Sequence, residues 1–594
     1  MTTLLLAKTK EIDLSKHIEV IGQLELGIVA LLLLFFVVRP ELWRRMWFDR
    51  VDPRPAALMR ITFGLVVFVT FAVLLLPIGP LTYSTARYLF TEDGLWLTDT
   101  ARQNYGGNLR TLWDAEHGFE HWYDVFKAVG DHFSPLFLNS EPTFVFALYG
   151  AMLMSLLLMV LGVWTRVTSI LSFLLVEWVY RYSPVFYTGG DTVIRVYLFM
   201  GMFADWGRAY SLDAWWARRD AILRGGARHI PPLVKIPAWP MRIMMLQLVC
   251  IYCATGLLKS GTTWHNGTAL YYALCLDHFY RVPAIHAVTL AQFFGLLPLA
   301  TILVHWWEML FPLALVGVAL NAFERERALG IWPRAAAWRR WLGYAIFTAA
   351  WVMGAVLLGI GVSYFLPPKM LPFLPRALFM PVFTGLGVAL LVLPLGLVLA
   401  LRRFFPRAYD FVRRWLLGKR MWLLIGVLMH IGIATSMNVG TFAPVMITLY
   451  MVWFSGEEID AFWRYMYSEP FPPGEGGRPR HARRWIARAL APFERLVYRR
   501  AREPVTVLHH PDDASVRRAA LLRCWDLAER LRFVADDSVP PETLRLRPPG
   551  ASQALQGGAA GRALLGLLPG LLVLRPFWFI PGIPALVLRM LRQR

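Results

Sequence analysis

The few residues able to carry chemistry in this largely apolar chain stand out by type and position, and the segment QLVCIYCATGLLKSGTTWHNGTALYY holds the most suggestive of them. Here Lys259 closes an apolar run and is followed by Trp264 and the turn residue Gly267. An ammonium partly shielded from water gives up its proton more readily than a hydrated one, so it suits a general base or an anchor for a substrate. On charge alone, a lysine in this position more often extends its stem toward lipid headgroups and does no chemistry.

Asp191 and Arg195, in GGDTVIRVYLF, lie four residues apart, which on a helix puts them on one face and predicts an ion pair. Asp191 also falls where a helix dipole favours an acid. A structural pair and the wall of a polar cavity at the depth of Lys259 both fit. Glu308 lies in LATILVHWWEMLFPLALV with His305 one turn earlier. That spacing predicts a Glu–His hydrogen bond, a proton relay at most, since two such groups do not make a metal site. His430, inside GVLMHIGIATSMN, reads as a packing residue with one partner. Cys250 and Cys253 form C-x-x-C in the middle of an apolar run, whereas redox pairs open a helix whose dipole activates the thiol. No nucleotide, metalloprotease, hydrolase or dinucleotide fingerprint occurs, so no metal site is predicted.

The elements that position these residues are read from composition. Apolar residues make up 57% of the 594 and charged residues 17%, more apolar surface than a soluble chain can hide. The surplus is divided among runs at Ile21–Val38, Ala57–Ile78, Thr143–Val163, Val167–Tyr182, the short Thr192–Ala204, Pro240–Leu258, a long stretch His286–Ala322 read as a half-helix leading into a full span, Gly343–Phe365, Ala377–Leu401, Met421–Met437 and Thr441–Phe454. This predicts an all-α polytopic membrane bundle of about eleven helices, with the lipid bilayer as its main partner. The start of the chain lacks the layout of a cleavable signal peptide, so the first run is read as a retained helix.

Net charge is +21, and the arginines cluster in short segments between apolar runs. That placement marks loops held in the cytoplasm rather than a nucleic-acid surface. Segments 39–54, 208–235, 325–340 and 402–420 are therefore assigned to the cytoplasmic side. The acid-rich loop containing Glu92, Asp93, Asp99, Asp114 and Glu116 is assigned outside, with Asp191 and Lys259. Its Trp113, Trp122 and Tyr123 suit interfacial helices, as belt residues or as a lid. From Ser468 the chain turns to a basic, turn-rich linker. Beyond it, PVTVLHH predicts a strand, Asp513–Arg530 a helix and LRFVADD a second strand. Two final apolar runs, Ala563–Leu574 and Phe577–Leu588, are too short to span and are read as buried or membrane-apposed. The domains are thus 1–49, a tail with an extra helix; 50–460, the membrane domain; 461–498, linker; and 499–594, an α/β domain.

The succession DPRPAALMRITFGLVVF, GGDTVIRVYLFMGMFADWGRAYSLDAWW and QLVCIYCATGLLKSGTTWHNGTALYYAL, closed by HIGIATSMNVGTFAPVMITLYMVWF, resembles the HTTM domain, a bacterial relative of vitamin K-dependent gamma-glutamyl carboxylase. The resemblance covers roughly residues 50–460, and Tyr252-x3-Gly256-x2-Lys259-x4-Trp264-x2-Gly267 is its most specific motif. It implies that Lys259 is a base acting on a quinone-class cofactor or another lipid-like small molecule at the outer face. The family's histidine near Asp191 is absent, as is its large lumenal β-rich region, so carboxylation of protein glutamate is not implied. Residues 499–594 resemble the DCC domain, which has a thioredoxin-like fold and a D-G-x-C-x-x-C motif after its first strand. Here Asp513 and Val516 stand at the cysteine positions and Cys524 lies farther down the helix. Thiol–disulfide exchange needs an attacking and a resolving thiol, so this domain is expected to dock a cytosolic or membrane protein partner, or to serve structure.

Three readings follow: an enzyme with Lys259 as base at the bacterial cell (inner) membrane, a transport or accessory protein, and a non-catalytic scaffold. Transport folds commonly carry inverted repeats, and none is evident in the sequence.

Overall fold

The computed structural model describes residues 15–77, 83–95, 97–105, 133–183, 188–229, 231–259, 261–276, 294–331, 335–365, 374–467, 504–527, 529–555, 557–568, 579–580 and 582–591. The expected interfacial residues Trp113, Trp122 and Tyr123, the basic linker from Ser468, and the junction of the two final apolar runs lie outside these. The longer helices are α1 (Ser15–Val38), α2 (Arg54–Val73), α3 (Pro142–Leu161), α4 (Thr165–Tyr182), α5 (Gly189–Gly201), α6 (Leu212–Gly225), α7 (Trp239–Leu258), α8 (Leu297–Leu310), α9 (Pro312–Ala328), α10 (Ala337–Phe365), α11 (Phe379–Phe404), α12 (Lys419–Ser436), α13 (Phe442–Thr448), α14 (Gly456–Tyr467), α15 (Asp513–Trp525), α16 (Gly557–Leu567) and α17 (Gly582–Leu591). The short strands are β1 (Arg50–Val51), β2 (Ile236–Pro237), β3 (Val505–His509), β4 (Leu531–Ala535) and β5 (Leu544–Arg547).

The chain is mostly helical, with small sheets, and carries several helices that suit a membrane. Among the described residues seven are long and apolar enough to cross one, or eight if the bent pair α8–α9 counts as a single span. That is fewer than the eleven runs read from sequence. The 18 residues of α4 include Arg166, Glu177 and Arg181, α5 has only 13 residues, and the run through α13 ends at Trp453 after 12. An apolar helix needs about 20 residues to cross a hydrocarbon core. The long stretch from His286 proves, in its described part, to be two helices bent by 48°. Pro312 opens the second one and lacks the N–H that would continue the first.

The chain divides into two compact units. One comprises residues 1–49, 249–266 and 299–426. Within it α1 lies along α10, and α10 along α11. Small residues allow the second approach: a β-carbon on Gly387 would sit 2.7 Å from that of Ala355, and the Trp351 indole donates to the Gly387 carbonyl at 2.8 Å. Such small-residue contacts let apolar helices associate where lipid offers no hydrophobic driving force.

The other unit comprises residues 50–248, 267–298 and 427–594. Here α2 packs beside α3 and the segment from α13 to Trp453, and Tyr149 Oη donates to the Phe71 carbonyl at 2.7 Å. Arginine-rich segments assigned to one side meet one another. β1 pairs antiparallel with β2, Arg50 opposite Pro237, and Arg54 bridges Asp52 and Asp460. The buried Arg60 guanidinium donates to the carbonyls of Trp206 and Tyr210. Asp213, at the start of α6, accepts from the backbone N–H groups of Trp164 and Thr165 and from the Thr165 hydroxyl, which closes the α3–α4 turn.

The C-terminal part of this unit is a three-stranded sheet in the order β4-β3-β5. β3 runs parallel to β4 and antiparallel to β5, and α15 connects the parallel pair. Both predicted strands are found. The helix stops at Trp525 rather than Arg530 because the Asp526 carboxylate turns the chain, accepting from the N–H groups of Arg530 and Leu531. Ala560, Leu564, Leu565 and Val587, from the two final helices, are buried in the core of this domain, as are Ile222 and Ala227 at the end of α6 and just beyond it.

Candidate functional site

The motif that carries Lys259 is one face of α7 and its continuation. Tyr252, Thr255, Gly256 and Lys259 recur at helical spacing and meet α8. At Gly256 the two helices come so close that a β-carbon would lie 2.6 Å from the Met309 nitrogen. One turn below, Tyr252 is buried. Its ring is 4.9 Å from that of Trp307 and 4.6 Å from that of Phe311. Trp307 in turn stacks with Trp422. Aromatic packing below and a glycine contact above thus fix the register of the two helices.

That register delivers Lys259 to Glu308. The ammonium donates to Glu308 Oε2 in a direct ion pair. The Thr255 hydroxyl lies 3.3 Å from the same oxygen. On its other side the ammonium sits 4.8 Å from the centre of the Trp264 ring, within range of a cation–π attraction. Trp264 belongs to a short helix, Thr262–His265. Its ring meets that of His305 edge-on at 6.0 Å. Glu308 keeps 9% of its side chain exposed and Lys259 21%, so the carboxylate is the inner member and the ammonium the outer.

The hydrogen bond expected between His305 and Glu308 is therefore replaced. Glu308 turns toward α7, and His305 lies against Trp264 instead. Gly267 serves the chain path: its φ is +73° and Pro298 packs at 3.0 Å from where a β-carbon would be, so glycine is required by the turn.

Asp191 and Arg195 belong to the other unit, where the i, i+4 pair expected between them gives way to different partners. Asp191 completes a capping box with Thr188 at the start of α5, accepting from its N–H and hydroxyl and from Tyr180 Oη at 2.6 Å. Arg195 makes a two-pronged pair with Glu177 of α4, and Arg181 binds the same carboxylate at 2.7 Å. Sequence reasoning missed Glu177. Its signal was a lone acid inside SFLLVEWVYRY, which costs several kcal/mol in hydrocarbon unless paired. His430 is buried, with its ring 5.5 Å from that of Phe442. Among the described residues, no group of three His, Cys, Asp or Glu side chains is placed to hold a metal ion.

In the C-terminal domain the position after β3 carries an acid cap instead of thiols. Asp512 accepts from the Ser515 N–H at 3.1 Å and lies 2.9 Å from His510 Nδ1. Cys524 is buried, its thiol 3.1 Å from the Ala520 carbonyl. The surface over it is covered by α6: the Trp215 indole donates to the Cys524 carbonyl at 3.1 Å, Arg218 to the Asp526 carbonyl at 2.9 Å, and Arg523 to the Ala227 carbonyl at 3.1 Å.

No family model matches the chain, and neither a curated protein nor a solved structure does.

Proposed function

We propose that this is a multi-pass membrane enzyme of the HTTM kind, acting on a quinone or another lipid-like molecule through the Lys259–Glu308 pair. In this reading α4, α5 and the segment from α13 to Trp453 also cross, giving eleven crossings, and Lys259 stands at the outer face of a bacterial cell membrane. The observation that carries the reading is the ion pair beside an aromatic ring: Glu308 inside, Lys259 outside, Trp264 against the ammonium. Passing a proton from Lys259 to Glu308 leaves an amine and an acid, both neutral. The amine then takes the proton of a bound hydroxyl, leaving the substrate anion beside the regenerated ammonium. A flat ring of quinone type has Trp264 and His305 to lie against.

Lipid extracted from the purified full-length protein and analysed by mass spectrometry tests this. A quinone-class or related molecule should accompany wild type and fall at least about tenfold in K259A and E308Q, a loss of one strong charged contact. Equal recovery from all three would sink the reading.

A second reading, a scaffold, is favoured by the cover that α6 places over α15. The sheet order and the parallel pair joined by a helix suit a thioredoxin-like domain, and Cys524, its single cysteine, is buried. On this view the domain is redox-inactive, lies in the cytoplasm with the arginine-rich loops, and serves to hold α6 or a protein partner.

A further inference from the structure

The junction between α11 and the helical segment that follows it carries an unusual surface. Phe405 turns the chain between them. A one-and-a-half-turn helix, Pro406–Phe411, and a π-helical turn, Val412–Leu416, then lead into α12. One face of this junction is fastened to α9. Tyr409 Oη lies 3.0 Å and Arg402 3.1 Å from Glu324 Oε1. Arg413 donates to Asn321 Oδ1 at 2.7 Å, and Asn321 Nδ2 returns a bond to the Arg413 carbonyl. Gly317 lets the Leu417 carbonyl approach closer than any β-carbon would allow.

The outer face is fixed by this fastening, and it combines two features. Phe404, Phe405, Phe411 and Trp415 are each more than half exposed. Arg403, Arg407 and Arg420 are exposed with no carboxylate partner among the described residues, and Arg414 has only a 3.5 Å contact with Asp410. Segment 402–420 holds six arginines and one lysine against a single acid, Asp410. Aromatic rings beside unpaired guanidinium groups at the end of apolar helices match the boundary between acyl chains and phosphate: rings enter the acyl edge, and the guanidinium fork meets phosphate oxygens in two-pronged bonds.

We propose that this junction, Arg403–Arg420, is a binding site for the headgroups of anionic phospholipids. The rings set its depth, Arg403, Arg407 and Arg420 hold phosphate, and the contacts of Arg402, Tyr409 and Arg413 with Glu324 and Asn321 hold the backbone that carries these three arginines.

Full-length protein is reconstituted in nanodiscs of equal phosphatidylglycerol and phosphatidylcholine, and lipids retained after release are counted by native mass spectrometry. Wild type should retain phosphatidylglycerol over phosphatidylcholine by at least about tenfold, since each basic residue at a charged surface contributes roughly a fivefold preference. The triple substitution R403Q/R407Q/R420Q should bring the ratio near one, and R403K/R407K/R420K should restore most of it. Because these arginines carry no ion pair among the described residues, the glutamine variant should melt as wild type does. No preference in wild type, or a preference that survives the glutamine variant, overturns the proposal.

Discussion

Gly256 stands where a β-carbon would meet the Met309 nitrogen at 2.6 Å, and this contact sets the distance between Lys259 and Glu308. Alanine there must push α7 and α8 apart. Overpacking of this kind costs about 1–3 kcal/mol. G256A should lower the thermal midpoint of the purified protein, and G256L should lower it further. A midpoint unchanged in G256A would show that the helices are not in contact at this level.

The Lys259–Glu308 pair should behave as a coupled unit. With Glu308 the more buried member, K259M strands a carboxylate, whereas E308Q leaves an ammonium that still has Trp264. K259M should therefore destabilise more, by roughly 2–4 kcal/mol against about 1–2 for E308Q. The double variant K259M/E308Q should recover part of the loss, a positive coupling in a double-mutant cycle. Additive losses would mean that the two groups do not interact in the folded protein.

The Lys259–Glu308 pair shows what is legible in the sequence and what is not. Lys259 and Glu308 were each visible as charges in apolar runs, because their cost in lipid is readable residue by residue. Their partnership was not, since it depends on a glycine contact between helices separated by 38 residues of chain. His305 is the partner that the sequence suggests for Glu308, because i, i+3 spacing is readable. The actual orientation follows from α7, which spacing within α8 does not encode. Asp191 and Arg195 repeat the lesson, with the unnoticed Glu177 taking the arginine. The strands at Val505 and Leu531 and the helix between them were legible, because alternation and turn residues are local signals. The cover of α15 by α6, three hundred residues earlier, was not.

That cover predicts the reactivity of Cys524. In a C250S/C253S/C275S background, maleimide labelling of the full-length protein should be slow. Burial pushes the Cys524 thiol above its ordinary range, which lowers the thiolate fraction at any given pH, and α6 hides the sulfur. Labelling should rise with pH more steeply than for a free thiol. W215A/R218A should speed it at least about tenfold, by loss of one indole and one charged hydrogen bond. Fast labelling in the unsubstituted chain would mean that α6 does not cover the domain.

The start of α15 should respond to acid in a defined direction. Hydrogen bonds from Ser515 and the neighbouring His510 hold the Asp512 carboxyl below its ordinary value. The unfolded reference is about 3.9. A group depressed in the folded state adds stability that is complete above the unfolded value and is lost as pH falls through the folded one. Protection of the 513–516 amides against hydrogen exchange, corrected for intrinsic rates, should thus be flat through neutral pH and decline below about pH 4. D512N keeps an oxygen that can accept from Ser515 but cannot titrate, so its protection should be lower at neutral pH and lack the acid-side decline. D512A removes the cap and should expose these amides across the whole range. An acid decline persisting in D512N would assign the effect to another carboxylate and remove Asp512 as the group that fastens this helix.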